Sequence, residues 1–435
     1  MQRLRVLVTG AHGFIGSHIL AALIDAGHEV VCAVRKQRAR ADRHFSALPV
    51  VVCDMARDVD TATWLPRLAG IDALVNCAGI LRERPGESFE NVHVAVPRAL
   101  FMACAAAGVR RVVHISALGN AADGEFIASK HRGDTVLTAL PLDAIVLRPS
   151  LVYSLRGSYG GTSLLRAMAA LPGMLLLPGD GAQLLQPIAA EDLGTCVVAA
   201  LTQPMSGSEV IELCGPAVMT LAQYLRQWRA WLGLRPAREI HVPRTLVRMV
   251  SVVAERFGHG PLGETMRRML DRGNVASPDA FAQIQARLGV QPHALSERLL
   301  ATPAQTQDRQ HARLYFWLPT LRTAMALLWI ASGLTGLLLP TAALQAATQG
   351  GLFSPASAVV LGRAAGVIDS VLGIACLTGW RPRWVLAAML VMLAAYTLGV
   401  GILWPRHWLD PLGGLIKNIP LFATLVLLLA AQERR

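Results

Sequence analysis

The apolar positions of this chain fall into two regimes. From residue 1 to about 300, short β-branched runs alternate with stretches of helical period: "LRVLVTG", "EVVCAV", "LPVVVC", "DALVNCAG", "RRVVHIS" and "DAIVLRPS". Runs of this length, each followed by a helix-length segment, predict a parallel sheet wrapped on both faces by helices. Further on, the pattern becomes four nearly continuous apolar stretches, at about 321–339, 359–379, 384–404 and 414–431. Each is close to the ~20 residues with which a helix crosses a hydrocarbon core of ~30 Å, the last being marginal. Between the two regimes, "ATPAQTQDRQHAR" at 301–313 is polar, has no apolar period and predicts a linker. The expected organisation is an α/β domain over 1–300, a linker over 301–313, and an all-α four-helix transmembrane domain over 314–435.

Composition supports the membrane half: 53% hydrophobic residues and a mean hydropathy of +0.43 are high for a purely soluble chain. Arginine placement predicts the topology. Arg309 and Arg313 precede the first stretch, Arg381 and Arg383 separate the second from the third, and Arg434 and Arg435 follow the fourth. The 340–358 loop has no charge, and the 405–413 loop sets Arg406 against Asp410. Both termini and the N-terminal domain are therefore expected in the cytoplasm, with the chain crossing a bacterial inner membrane several times. "MQRLRVLVTG" enters a strand directly, with no signal peptide before it. Seven scattered cysteines without a CxxC pair read as reduced packing residues, and no metal ligand set is expected. The net charge of +12 is spread along the chain without a basic run interleaved with aromatics, which excludes nucleic acid as the expected partner. Only Lys36, Lys130 and Lys417 are lysines among 41 basic Lys and Arg residues, so a lysine marks a place where a compact ammonium is useful.

The first strand runs into "VLVTGAHGFIGSHI", which sets Gly10, Gly13 and Gly16 between strand and helix. Gly10 allows a tight turn, Gly13 lets the backbone approach a pyrophosphate, and Gly16 lets the helix lie against the sheet with its N-terminus facing the anion. A Rossmann-type doubly wound sheet with a small substrate domain follows from this. The second strand ends at Arg35 and Lys36 and not at an acid, which favours a 2′-phosphate, hence NADP(H) over NAD(H). Asp54 in "VVCDM" is placed to accept from the adenine amino group, and Asn76 to Gly79 form a small-residue turn against the middle of the cofactor.

These residues resemble the extended and atypical short-chain dehydrogenases/reductases over about residues 1–300, through "TGAHGFIG", "DM", "NCAGIL", "AAAGVRRVVHISALG", "SK", "LRPSLVY" and "QPIAAEDL". Within that superfamily the chain is most similar to the branch containing the reductase-like accessory subunit of mitochondrial complex I. The resemblance implies that Ser116 is the catalytic-triad serine and Lys130 the lysine on the nicotinamide ribose. It implies a cofactor contact set of Gly10, Gly13, Phe14, Ile15, Gly16, Arg35, Lys36, Asp54, Met55, Cys77, Ala78, Gly79 and Lys130. Phe126 stands at the tyrosine of the family's YxxxK motif, and His93 where many extended members have asparagine. The segment over about 315–433 resembles the DoxX-like family of small four-helix membrane domains, through "LGRAAGVIDSVLGI" and "WLDPLGGLIKNIPLFATLVLLL".

Phe126 keeps a ring and loses the acid. General acid catalysis is worth about 10²- to 10⁴-fold, so ordinary carbonyl reduction is not the expectation unless Ser116, His114, Tyr153 or water stands in. His114 and Tyr153 read first as core residues. Two functions remain open: an NAD(P)H-dependent oxidoreductase acting on an apolar membrane substrate of the quinone or isoprenoid class, and a non-catalytic dinucleotide-binding or redox-sensing protein for a membrane partner. "PRTLVRMVSVVAERFG" at 243–258 is an amphipathic helix that either lies on an anionic leaflet or covers the substrate domain. Within the apolar stretches, Arg363 and Asp369 in the second and Lys417 and Asn418 at the fourth need partners. An Asp369–Lys417 pair and snorkelling cations are the two expectations.

Overall fold

The computed structural model describes residues 3–35, 48–204, 206–257, 263–347, 354–409 and 414–432. The chain divides into two compact units, Met1–Ala312 and Arg313–Arg435. In the first, strand β1 (Arg5–Thr9) fully buries Val6, Leu7 and Val8, and β2 (Glu29–Val34) buries all of its last five residues. Side chains on both faces are buried, so the strands read as continuous apolar runs and do not alternate. With β3 (Val50–Val52), β4 (Ala73–Asn76), β5 (Arg111–Ile115), β6 (Asp143–Pro149) and β7 (Ser208–Leu213), they form one sheet in the order β7-β6-β5-β4-β1-β2-β3. Every neighbouring pair is parallel. The winding reverses between β1 and β4, which opens a crevice at the carboxyl ends of these two strands.

Each face of the sheet carries its own core. On one face Ile19, Leu20 and Leu23 of α1 (Phe14–Asp25) pack with Leu193 and Val197. On the other, Leu100 and Phe101 of α2 (Val96–Ala107) and Leu137 of α3 (Glu125–Thr138) pack with Trp64. A third core around Tyr153, Leu177, Tyr224 and Trp228 holds the smaller lobe, beside the parallel pair Met174–Pro178 and Arg238–Val242. This lobe continues into α4 (Arg244–Phe257) and α5 (Glu264–Arg272). The polar segment read as a linker is largely ordered: Thr306–Leu314 is helix α6. Ala312 packs with Ala170, Leu232 and Ala304, and Asp308 lies 3.6 Å from the buried Arg166 guanidinium. A small buried residue and an ion pair are among its holds, and neither produces a hydrophobic period.

In the second unit, α7 (Trp317–Leu338), α8 (Pro355–Thr378) and α9 (Pro382–Leu403) are long and apolar enough to cross a membrane. The fourth expected span is shorter than read. Helix α10 (Asn418–Ala430), with the tight turn Leu415–Lys417 before it, makes an apolar helix over Leu415–Ala430, about 24 Å at ~1.5 Å per residue. Glycines let α7 and α8 approach: a Cβ on Gly333 would meet the Gly366 carbonyl oxygen at 2.6 Å, and one on Gly373 the Ala326 oxygen at 2.9 Å.

Of the two expectations for the polar groups of this unit, the Asp369–Lys417 pair is not formed. Asp369 is buried and accepts from Ser332 Oγ at 2.9 Å and Tyr396 OH at 3.1 Å, while Lys417 is exposed on the surface of the unit. Sequence spacing put Lys417 at the depth of Arg363 and left Asp369 deeper, within reach of a flexible lysine, but hydroxyls on the neighbouring helices hold the carboxylate instead. Arg363 donates to the carbonyls of Gly336 and Leu339 at 3.0 and 2.7 Å, and to that of Leu337, satisfying the end of α7. Asn418 donates to Thr397 Oγ1 at 2.8 Å.

Ser332→Ala, Tyr396→Phe and Asp369→Asn should each destabilise the detergent-solubilised helical unit by about 0.5–2 kcal/mol. The three losses should be non-additive, because they share one carboxylate. Lys417→Gln should combine additively with Asp369→Asn in the same thermal-unfolding cycle; coupling between those two would restore the ion pair.

Candidate functional site

The glycine loop fills the crevice. Gly10 has φ +67°, and a Cβ there would sit 2.9 Å from the Ala78 nitrogen and the Cys77 carbonyl. A Cβ on Gly16 would lie 2.1 Å from the Gly10 carbonyl oxygen. These two approaches draw the loop after β1 tightly against the end of β4. Gly13 caps α1 without a side-chain hydrogen bond, so the first N–H groups of the helix are left facing outward at the crevice. The cradle has the shape and polarity of a pyrophosphate site. Phe14 and Ile15, in the first turn, are half-buried; Met55, Ala78 and Gly16 are buried. Cys77 is half-buried, and burial pushes its thiol up to about 12, so it is a packing group.

Beyond Gly79 lies Lys130, 5% exposed, whose Nζ donates to the carbonyls of Ala78 at 3.1 Å and Ile115 at 3.0 Å. A Cβ on Gly79 would be 3.0 Å from this ammonium. Burial lowers the lysine to about 8, with Asp134 and Cys77 opposing the shift. One turn earlier on α3, Phe126 is buried in a small apolar group with Ala117 and Ile127, against Phe89 and Met269. Phe126 meets the Phe89 ring edge-on at 6.3 Å and the His93 ring at 5.7 Å. The place of the family's acid is thus lined by aromatic rings and thioether.

Ser116, His114 and Tyr153 are each engaged or enclosed by other groups in this arrangement. Ser116 is buried and donates to Asp134 Oδ2 at 2.9 Å, and Arg148 holds the same oxygen through Nε at 2.9 Å and Nη2 at 2.8 Å. His93 accepts from the Ile80 amide at 3.0 Å and contacts Ser129 Oγ at 2.8 Å through Nδ1, so Nδ1 carries the proton. Burial, reinforced by the Lys130 charge, keeps His93 neutral. His114 contacts Asn76 Nδ2 at 3.0 Å, and burial lowers it to about 4. Tyr153 is buried beside Trp228, and burial raises its phenol far above its ordinary value. Sequence reasoning missed Asp134 and Arg148, which fix Ser116. Asp134 follows Lys130 by four residues on the face of α3 that carries Phe126, which was the available signal.

Past β3, Asp54 Oδ1 accepts from the Ala56 amide at 3.0 Å, and its own amide donates to Asp58 at 2.8 Å. Arg35 extends from the end of β2 into an ion pair with Glu87, a partner that sequence position did not suggest. Lys36 lies outside the described residues. Among the described residues no group of His, Cys, Asp and Glu is arranged to hold a metal ion.

The chain matches the NAD dependent epimerase/dehydratase family over residues 6–214 and the DoxX-like family over residues 326–426. It is 31% identical over 150 residues to the ceramide reductase of Caulobacter vibrioides, covering 34% of this chain and 46% of that protein. It is 25% identical over 325 residues to NADH dehydrogenase (ubiquinone) 1 alpha subcomplex subunit 9, mitochondrial, of Mus musculus, covering 72% and 81%. The chain therefore spans about half the length of the first of these relatives. Its fold also superposes on MoeE5, solved with UDP-glucuronic acid and NAD, with a TM-score of 0.52 at 21% identity over 71% of this chain and 99% of the other. The N-terminal unit thus contains an NAD dependent epimerase/dehydratase domain, of a family that binds a nicotinamide dinucleotide, and the C-terminal unit a DoxX-like domain.

Proposed function

We propose that this chain is a membrane-anchored reductase that draws on NADP(H) and acts on an apolar, membrane-soluble substrate of the quinone or isoprenoid class. The observation that carries the reading is the apolar wall of Phe89, Phe126 and Met269 beside an intact dinucleotide cradle, in a chain with membrane-length helices. Gly10, Gly13 and Gly16 with the α1 N-terminus would hold the pyrophosphate, Asp54 the adenine, and Lys130 the ribose hydroxyls. Bound there, the dinucleotide supplies a hydride. The rings exclude water and favour an apolar acceptor. A quinone-type acceptor that gains a hydride is a stabilised anion, which leaves the ring-lined site and takes its proton from solvent outside it, so it does not need an acid at position 126. By its name, the Caulobacter vibrioides relative reduces a ceramide, which agrees with lipid-soluble chemistry.

A second reading is a non-catalytic dinucleotide-binding or redox-sensing protein for a membrane partner. The commitment of the Ser116 hydroxyl to Asp134 favours it. Anaerobic NADPH oxidation by the full chain in detergent, with a panel of quinones, separates the two. Turnover supports the reductase; tight dinucleotide binding without turnover supports the sensor. The topology read from the arginines places the protein in a bacterial inner membrane with both termini cytoplasmic, and it requires Leu415–Ala430 to cross despite its length.

Phe126→Tyr should raise reduction of simple carbonyls by about 10²-fold if the pocket still admits them. An inert variant that binds NADPH normally would mean that the pocket has been reshaped as well. For the cofactor, Arg35→Asp should weaken NADPH far more than NADH, and Glu87→Gln, which frees Arg35, should tighten NADPH alone. Equal NADPH and NADH affinities in the unmodified chain would end the NADP(H) assignment. Lys130 is protonated below about 8 and neutral above it. Dinucleotide affinity should therefore fall as pH rises through that value, and Lys130→Met should bind weakly with a flat profile in the same titration.

A further inference from the structure

Helix α4 carries an apolar face that nothing among the described residues of its unit covers. Leu246, Met249, Val250, Val252 and Val253 are between 43% and 58% exposed. At ~100° per residue, Leu246, Met249, Val250 and Val253 fall within an arc of about 100°. Arg244, Arg248 and Glu255 lie opposite that arc, and Val247, Ser251 and Ala254, the less exposed positions, occupy the third side. The helix therefore has a seated side, a charged side and an apolar side turned to solvent. Scattered exposed apolar residues need no explanation, but a contiguous helical stripe of them does.

We infer that this stripe lies in the interfacial zone of the bilayer that holds the chain's own apolar helices. The occupant follows from connectivity. Only residues 313–316 separate Ala312, the end of the N-terminal unit, from Trp317, where α7 begins. Five steps of an extended chain reach about 17 Å. A membrane containing α7 is consequently a permanent neighbour of the N-terminal unit, and an apolar stripe with a charged opposite side is the form in which a helix rests on lipid. Burying the stripe there removes its apolar surface from water at no further cost in translational freedom, which the covalent connection has already restricted. The neighbouring helix α5, whose first amide donates to Glu255 at 3.0 Å, carries Met269 onto the wall at Phe126. That contact ties the lipid-seated helix to the helix that covers the candidate site. The docking itself holds whether or not the chain turns over a substrate.

The test uses the full chain in lipid discs of phosphatidylcholine and phosphatidylglycerol. Spin labels are placed by Met249→Cys, Val253→Cys and Arg248→Cys, and the signal of the unsubstituted chain is subtracted. All three positions are exposed, so the substitutions leave the core intact, and thermal unfolding verifies this. The labels at 249 and 253 should be relaxed by oxygen in preference to a water-soluble nickel chelate, with an oxygen-to-nickel ratio several-fold above that of the label at 248. Equal nickel access at all three positions would overturn the inference. So would dipolar broadening at 249 and 253 on raising the number of chains per disc, which would make a second copy the occupant. As an independent measure, residues 244–257 should show slowed amide exchange in discs, and Met249→Asp combined with Val253→Asp should abolish it; unchanged protection in that variant would also overturn the inference.

Discussion

The buried ammonium of Lys130 is the constraint around which the N-terminal site is built. A charge taken out of water must be met by oxygen, and the carbonyls of Ala78 and Ile115 meet it. Those two carbonyls lie just past β4 and at the end of β5, so one side chain fastens α3 to two strand ends and presses on Gly79. The same turn that accepts the lysine receives the glycine loop, since Gly10 is packed against Cys77 and Ala78. Displacing any one of these groups would move the others, which makes the cradle and the lysine a single unit.

Around that unit the site divides by polarity. Beneath the strand ends, Thr9, Asn76, His114, Asp134, Ser116 and Arg148 form a buried polar group whose members are largely satisfied by one another. Such a group fixes strand ends, and the Ser116 proton in particular already has its acceptor in Asp134. The opposite wall, Phe89, Phe126 and Met269, has no proton to give. The departure from tyrosine at 126 is therefore matched by its surroundings, and an acceptor that protonates from solvent suits both walls.

Among its described residues, the helical unit solves the corresponding problem without a buried ion pair. Asp369 is held by two hydroxyls, and Arg363 by the carbonyls that end α7. Glycines 333, 366 and 373 bring α7 and α8 close enough for backbone contact, which places Ser332 within reach of Asp369. Helix packing and polar satisfaction are thus one arrangement, with small residues setting the distance at which the hydroxyl can act.

The period of the apolar residues and the spacing of the glycines were enough to determine a parallel sheet, the loop at its switch point, and the three long apolar helices. These are short-range properties: burial on both faces of a strand, a turn requiring φ above zero, and a length matched to a bilayer are each written within a few residues. Partner choice was decided elsewhere. Ser116 turned to Asp134, Arg35 to Glu87 and Asp369 to Ser332 and Tyr396, each to a residue in a different segment of the chain. A polar linker became α6 through Ala312 and Asp308, and the fourth apolar stretch became a shorter helix than its composition suggested. The amphipathic pattern at 244–257 was legible, but only the tertiary structure showed which side is seated and which is left apolar and open. A side chain's capacity to bond is local, whereas which group stands within 3 Å of it depends on how the whole chain is packed.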